Sequence, residues 1–150
     1  MLATIRPDAW NLPLLLHVLG AMVMVGALVV AASVLVLAWR DGSAALVRAG
    51  FRTLLLGALP AFVVMRASAE WILSKEGLTD SNVAWIGIGF STSDFGFVII
   101  LVSTLLAWLA VRRTRRGEAS GALARVPAAL VSLLLVVYLV TIWAMTTKPT

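Results

Sequence analysis

Four long apolar stretches, joined by short polar segments, constrain this chain more than any other feature of its sequence. They cover residues 12–38, 53–73, 95–111 and 127–145. About 20 apolar residues cross a bilayer as a helix, and other lengths adjust by tilting. Because 61% of the residues are hydrophobic and only 13% are charged, a soluble domain of 150 residues has no interior large enough to bury them. The sequence predicts an all-α membrane protein, a four-transmembrane-helix bundle forming one integral membrane domain (1–150), with helices at about 12–39, 48–73, 92–111 and 126–146.

The basic residues predict the orientation of these helices. Eight of the twelve Lys and Arg residues lie in the segments joining helix one to two and helix three to four. The positive-inside rule places these segments in the cytoplasm, so both termini are expected outside (N-out/C-out). The six tryptophans all lie near predicted helix ends, where an indole ring prefers the headgroup region. The first stretch is too long for the apolar part of a signal peptide, so we expect it to remain as a membrane anchor.

Two local features modify the helical pattern. Pro60 lies inside predicted helix two and is expected to kink it. The apolar run 83–90 contains glycine and is too short to span, which predicts a short interfacial or re-entrant segment before helix three. Helix three is then expected to begin near Asp94, where hydroxyl residues and an acid match a helix start.

Four ionisable residues are predicted to lie at one level in the outer half of the bundle: His17, Arg66, Glu70 and Asp94. Arg66 and Glu70 are four residues apart, so they share a helix face and are expected to form an ion pair. Two interpretations stay open, because the pair either extends outward to the headgroups or faces the bundle interior as a site for a ligand or a proton pathway. For Asp94, stabilisation of the helix start is the simpler explanation.

His17 lies on a stripe with Gly20, Met24, Ala27 and Ala31, whose small members allow a helix or a flat ligand to approach closely. An imidazole there either packs as a core residue, ligates a metal or haem, relays protons or bonds Glu70. Helix four adds supporting polar groups at the same level, Tyr138 and Thr141, and Met24 is a soft potential ligand.

Several function classes are excluded or disfavoured. The chain has no cysteine and one histidine, so it contains no thiolate site and no cage of several histidines. It has no phosphate-binding glycine loop, no nucleophile elbow and no paired carboxylates, and no catalytic residues are assigned. The arginine cluster is expected to set topology and contact anionic lipid rather than nucleic acid; it comprises Arg112, Arg113, Arg115 and Arg116.

The run PLLLHVLGAMVMVGAL, residues 13–28, carries Leu16-His17 followed by Gly20 and Gly26. It resembles the first helix of small bacterial membrane proteins of the copper-resistance-D-like and related uncharacterised superfamilies. The resemblance covers one helix and implies a multi-pass protein of the bacterial cytoplasmic (inner) membrane. Some members of that group are thought to bind haem or copper through membrane histidines, which makes His17 a candidate ligand for haem b or a copper ion. Since no second histidine follows, haem would need His17 together with a methionine, a water or His17 of a second copy.

Three functions are therefore considered. The first is a module that binds haem, a metal or another ligand at His17, with Arg66 holding an anionic group. The second is a proton or ion pathway through Glu70, Asp94 and His17. The third is an accessory subunit whose small-residue stripe docks a partner helix. Four helices are few for a self-contained transporter, so a homo-oligomer or other membrane subunits are expected partners in the lipid bilayer.

Overall fold

A computed structural model describes residues 11–77, 84–119 and 121–147, which form four membrane-length helical spans. Span one is α1, Asn11–Asp41. Span two joins α2, Ala44–Thr53, through a π-helical segment, Leu54–Ala58, to α3, Leu59–Glu76. Span three is α4, Ala84–Arg115, and span four is α5, Ala122–Thr147. All four spans are long and apolar enough to cross a membrane, so the chain is a multi-pass membrane protein with the predicted all-α four-helix bundle.

The spans alternate in direction, so the bundle has two distinct ends. We call the end that holds Asn11, Gly77, Ala84 and Thr147 the terminal end, and the opposite end the arginine end. The turns at the arginine end use glycines with positive φ, Gly42, Gly117 and Gly121, a conformation that other residues rarely adopt. The orientation with the terminal end outside stays a prediction.

The break in span two has a clear cause in Pro60. Proline has no backbone N–H, so the carbonyl four residues earlier loses its usual helical partner. The chain widens into a π-helical turn just before this point, where the Leu59 N–H bonds the carbonyl of Leu54, five residues back. The irregularity expected at Pro60 is thus present as a π-helical segment that lies before the proline.

The predicted interfacial or re-entrant segment before helix three is wrong for the residues the structure describes. Residues 84–90 are the first two turns of α4, which continues without a break to Arg115. Gly87 and Gly89 each cost only about 1 kcal/mol in a helix, too little to interrupt it when long apolar flanks continue the pattern. Asp94 therefore lies ten residues inside α4 and does not cap its start.

The other helices are also longer than predicted. Span two begins at Ala44 rather than 48 and ends at Glu76. α5 begins at Ala122, so Pro127 lies inside it rather than in its first turn. The reason is that the helices continue past the charged residues that border each long apolar run, such as Arg48, Lys75 and Arg125, and hydropathy alone does not mark where they end.

The core of the bundle is packed around α1, which contacts α2, α3 and α5. The buried side chains of the core are both large and small. The fully buried large ones include Leu28, Leu35, Leu54, Ile100 and Leu134. Many leucines and valines on the outside are half or more exposed, as expected for a surface that faces lipid. Of the tryptophans, Trp39, Trp71, Trp108 and Trp143 have exposed side chains, whereas Trp10 and the Trp85 side chain lie outside the described part.

Candidate functional site

A cavity of about 660 Å³ opens in the half of the bundle nearest the terminal end, and all four spans line it. It forms there because α3 and α4 contact each other little, while α1 packs on α3 and α5 packs on α4. One helical turn deeper, Phe62 of α3 and Phe97 of α4 stack with their ring centroids 5.0 Å apart. This aromatic pair joins the two helices below the level of the cavity.

The wall of the cavity is mostly apolar. α1 contributes Ala21 and Met24, and α3 contributes Met65 and Ala69. Met24 and Met65 are buried, at 2% and 9% exposure, and their unbranched side chains fill irregular space between helices. A cavity of this size with apolar walls and a few polar groups matches the general form of a small-molecule site.

His17 lines the cavity and is half-buried. Its Nδ1 lies 3.0 Å from the carbonyl oxygen of Met65 on α3. Because a carbonyl oxygen only accepts, this contact assigns a proton to Nδ1, so that in the neutral tautomer Nε2 is the acceptor. Nε2 has no hydrogen-bond partner among the described residues. The contact with Glu70 that the sequence left open is therefore replaced by one with the Met65 backbone.

The approach of α1 to α3 beside His17 depends on Gly20. A Cβ at this position would lie 2.8 Å from the Met65 nitrogen and 3.1 Å from the Ala61 carbonyl oxygen. Only glycine permits so close an approach of two backbones. Gly20, Met24 and Ala31 of the α1 stripe are thus buried within the chain, while the accessory role of the protein stays a prediction.

Arg66 lies at the mouth of the cavity and connects three of the four residues predicted at this level. Its guanidinium donates to Glu70 Oε1 at 2.6 Å and to Asp94 Oδ1 at 3.3 Å, so it bridges α3 and α4. The same guanidinium lies over the Phe90 ring, with its Cζ 4.2 Å from the centroid, a favourable cation–π contact.

The exposure of these side chains locates the cluster. Arg66 is 24% exposed, whereas Glu70 is 56% and Asp94 is 68% exposed. The two carboxylates therefore lie on the outside of the bundle, and only the arginine reaches the cavity wall. Of the two interpretations left open by the sequence, the structure combines both: the pair reaches the surface, and its cation lines the interior space.

Two hydroxyl residues in the cavity wall, Ser93 and Tyr138, have buried oxygens without a hydrogen-bond partner among the described residues. A buried hydroxyl without a partner costs about 1–3 kcal/mol. Tyr138 packs so tightly on α4 that a Cβ at Gly96 would meet its hydroxyl. Thr141 also lines the cavity, but its hydroxyl donates to the Val137 carbonyl at 3.0 Å.

Sequence reasoning missed Phe90 and Ser93. With α4 continuous from Ala84, the buried positions Ile86, Gly89, Ser93 and Gly96 lie three or four residues apart on one helix face. This spacing would have indicated that Ser93 faces the bundle interior. It was not used because helix three was expected to begin later in the sequence.

The described residues contain no group of three or more His, Asp or Glu side chains placed to hold a metal ion. No protein-family model, curated protein or solved structure matches this chain. The resemblance of the first helix to copper-resistance-D-like proteins therefore stays a prediction.

Proposed function

We propose that this chain is a ligand-binding module of a bacterial cytoplasmic membrane, and that its ligand is a neutral lipophilic molecule with oxygen functions. The observation that carries the proposal is the cavity of about 660 Å³ that all four spans line near the terminal end. Its apolar wall favours a lipophilic molecule. Such a molecule partitions into the bilayer, so its apolar surface has already left water before it reaches the cavity.

The polar groups of the cavity favour a ligand that both donates and accepts hydrogen bonds. His17 Nε2 is an acceptor, since its Nδ1 proton is bonded to the Met65 carbonyl. Ser93 and Tyr138 line the cavity, and their buried hydroxyls, which lack a partner among the described residues, could reach a ligand after a side-chain rotation. A quinone and its quinol form have this chemistry: a flat apolar ring with oxygens that accept in one state and donate in the other.

The cofactors implied by the family resemblance fit the residues less well. For a metal ion, the described part of the chain offers no group of three or more His, Asp or Glu ligands, although Met24 and Met65 thioethers line the same cavity as His17. For haem, His17 provides one axial nitrogen, but Arg66 is already paired with Glu70 and Asp94. Two carboxylates at the mouth would repel haem propionates, so haem b ranks behind a neutral ligand. Copper ranks behind it because the described residues lack a group of three such ligands.

A proton or ion pathway has less support. Glu70 and Asp94 lie at the outside of the bundle. Between the cavity and the arginine end, the described core is filled by fully buried aliphatic side chains such as Leu28, Leu35 and Leu54. A pathway needs polar groups or water along its length, and among the described residues this part of the core offers only the hydroxyls of Ser103 and Thr104 as buried polar side chains.

The proposal is tested by filling the cavity. Ala69 lines it, whereas Ala67, two residues away on the same helix, is exposed and does not. We expect Ala69→Phe to weaken binding of decylubiquinone, measured by quenching of tryptophan fluorescence in detergent, by tenfold or more. Ala67→Phe adds the same volume on the lipid side and should bind like the unmodified protein.

Equal binding by both variants would contradict the cavity as the site. An optical spectrum and elemental analysis of the purified protein separate the cofactors, because a Soret band or stoichiometric copper lost in His17→Ala would make the ligand haem or metal. Proton flux in liposomes that disappears in Glu70→Gln would favour the pathway instead.

A further inference from the structure

A second, smaller cavity of about 150 Å³ lies at the arginine end, between α2 and α4. Its apolar side is formed by Phe51, Trp108 and Val111. Four guanidinium side chains surround it, two from each helix: Arg48, Arg52, Arg112 and Arg115. It is separate from the cavity at the terminal end and shares no lining residue with it.

These four arginines have no carboxylate partner among the described residues. Arg113 lies 3.8 Å from Glu118, and Arg125 lies over the Trp39 ring. Arg112 also contacts an aromatic ring, with its Cζ 4.6 Å from the centroid of Trp108, but that ring is itself part of the cavity. The charge around the cavity is thus positive and not neutralised by the protein.

The spacing of the arginines adds to this imbalance. Arg48 and Arg52 are four residues apart on α2, and Arg112 and Arg115 are three apart on α4. Like charges at these spacings share a helix face and repel each other. Two such pairs face each other across one cavity, so an anion bound between them would relieve repulsion within each helix and between the helices.

The position of the cavity relative to the membrane identifies the kind of anion. Arg52 precedes the apolar stretch of span two, and Arg112 follows that of span three. Both therefore lie at the edge of the hydrocarbon region, where phospholipid phosphates are located, and basic pockets between membrane helices at this level bind anionic headgroups. Trp108, which lines the same cavity, is 37% exposed on the outside of the bundle and suits contact with acyl chains.

We propose that Arg48, Arg52, Arg112 and Arg115 form a site for the phosphate headgroup of an anionic phospholipid. Each planar guanidinium can donate two parallel hydrogen bonds to phosphate oxygens. A diphosphatidyl lipid, with two phosphates against four guanidiniums, binds more tightly than a lipid with one. The site concerns the opposite end of the bundle and does not depend on the ligand of the larger cavity.

The test compares two double variants with the same loss of charge. Arg52→Gln with Arg112→Gln removes two cavity arginines, and Arg113→Gln with Arg116→Gln removes two that do not line it. Full-length protein in neutral detergent is titrated with phosphatidylglycerol or phosphatidylcholine, and bound lipid is counted by native mass spectrometry. We expect roughly 25-fold weaker phosphatidylglycerol binding in the first variant, from about fivefold per arginine, and little change in the second.

Equal weakening in both double variants would overturn the proposal, since it would mean that the lipid responds only to overall charge. Equal binding of the two lipids by the unmodified protein would also overturn it. Displacement of phosphatidylglycerol by inorganic phosphate at the same concentration would assign the site to a free anion rather than a lipid. If the first double variant does not fold, Arg115→Gln alone is expected to show a fivefold loss.

Discussion

The two halves of the bundle are packed by different kinds of side chain, and this difference explains why the cavity in the terminal half is much larger than the one at the arginine end. In the arginine half, small buried residues let the helices touch, among them Ala38, Ala110 and Ala124, at 1% exposure or less. In the terminal half, methionines and aromatic rings hold the helices, and at the mouth Arg66 of α3 contacts Asp94 and the Phe90 ring of α4. Small residues close a membrane interface, whereas long side chains and ion pairs leave space between them.

The largest expected effect on stability comes from a substitution in the arginine half. Leu35 is fully buried, and a Cβ at Gly50 would lie 2.6 Å from its Cδ2, so the Leu35 side chain packs directly on the backbone of α2. We expect Leu35→Ala to lower the free energy of unfolding by about 2–5 kcal/mol. Leu37→Ala is the control, because Leu37 is 43% exposed toward lipid. Denaturation in mixed detergent micelles measures both, and equal losses would contradict the packing of this half.

The next effect concerns the close approach of the α1 and α3 backbones in the terminal half. Gly20→Ala places a Cβ against the Met65 backbone, which cannot rotate away, so we expect a loss of about 1–3 kcal/mol. Gly26→Ala has no atom within 4 Å of its new Cβ and should be neutral or slightly stabilising. If the two variants unfold alike, α1 and α3 do not meet as described.

A smaller effect, of opposite sign, is expected at the cavity wall. Tyr138→Phe removes a buried hydroxyl that has no partner among the described residues, so the ligand-free protein should keep its stability or gain up to about 1 kcal/mol. Thr141→Val, whose hydroxyl bonds a backbone carbonyl, serves as the comparison and should not gain. A clear loss of stability in Tyr138→Phe would mean that its hydroxyl is bonded in the protein.

The smallest effects are expected at the mouth. Glu70 is 56% exposed and Asp94 is 68% exposed, and ion pairs of that exposure contribute about 0.2–1 kcal/mol. We expect Glu70→Gln to cost more than Asp94→Asn, because its bond to Arg66 is shorter, 2.6 Å against 3.3 Å. Thermal unfolding at low and high salt checks both variants. A loss above 2 kcal/mol in either would mean that the mouth is closed to solvent.

Much of the architecture followed from apolar run length alone. A bilayer requires every backbone group to be bonded within its own helix, so a run of about 20 apolar residues has few alternatives to a spanning helix. The helix ends were less predictable, because residues 44–47 and 122–125 are separated from the long apolar runs by Arg48 and Arg125, yet belong to helices that extend past those runs. The error at 83–90 had the same origin: two glycines suggested a break, but the helix on either side was long enough to include them.

The candidate site was predictable in part. Ionisable residues are rare in membrane spans, so Arg66, Glu70 and Asp94 stood out, and their separations allowed the contacts that the structure contains. His17 also stood out, but its partner is the Met65 carbonyl. The pattern of side chains in a sequence does not predict a backbone acceptor on another helix.

The sequence by itself determined the class of the protein, the number of its spans and the uneven distribution of its arginines, because these depend on composition along one chain. Only the tertiary structure decided that the small-residue stripe of α1 is buried against α3, that a cavity separates α3 from α4, and that four arginines from two helices surround a second one. These features depend on which helix faces meet. In a membrane, where most surfaces are apolar, shape rather than polarity decides that pairing.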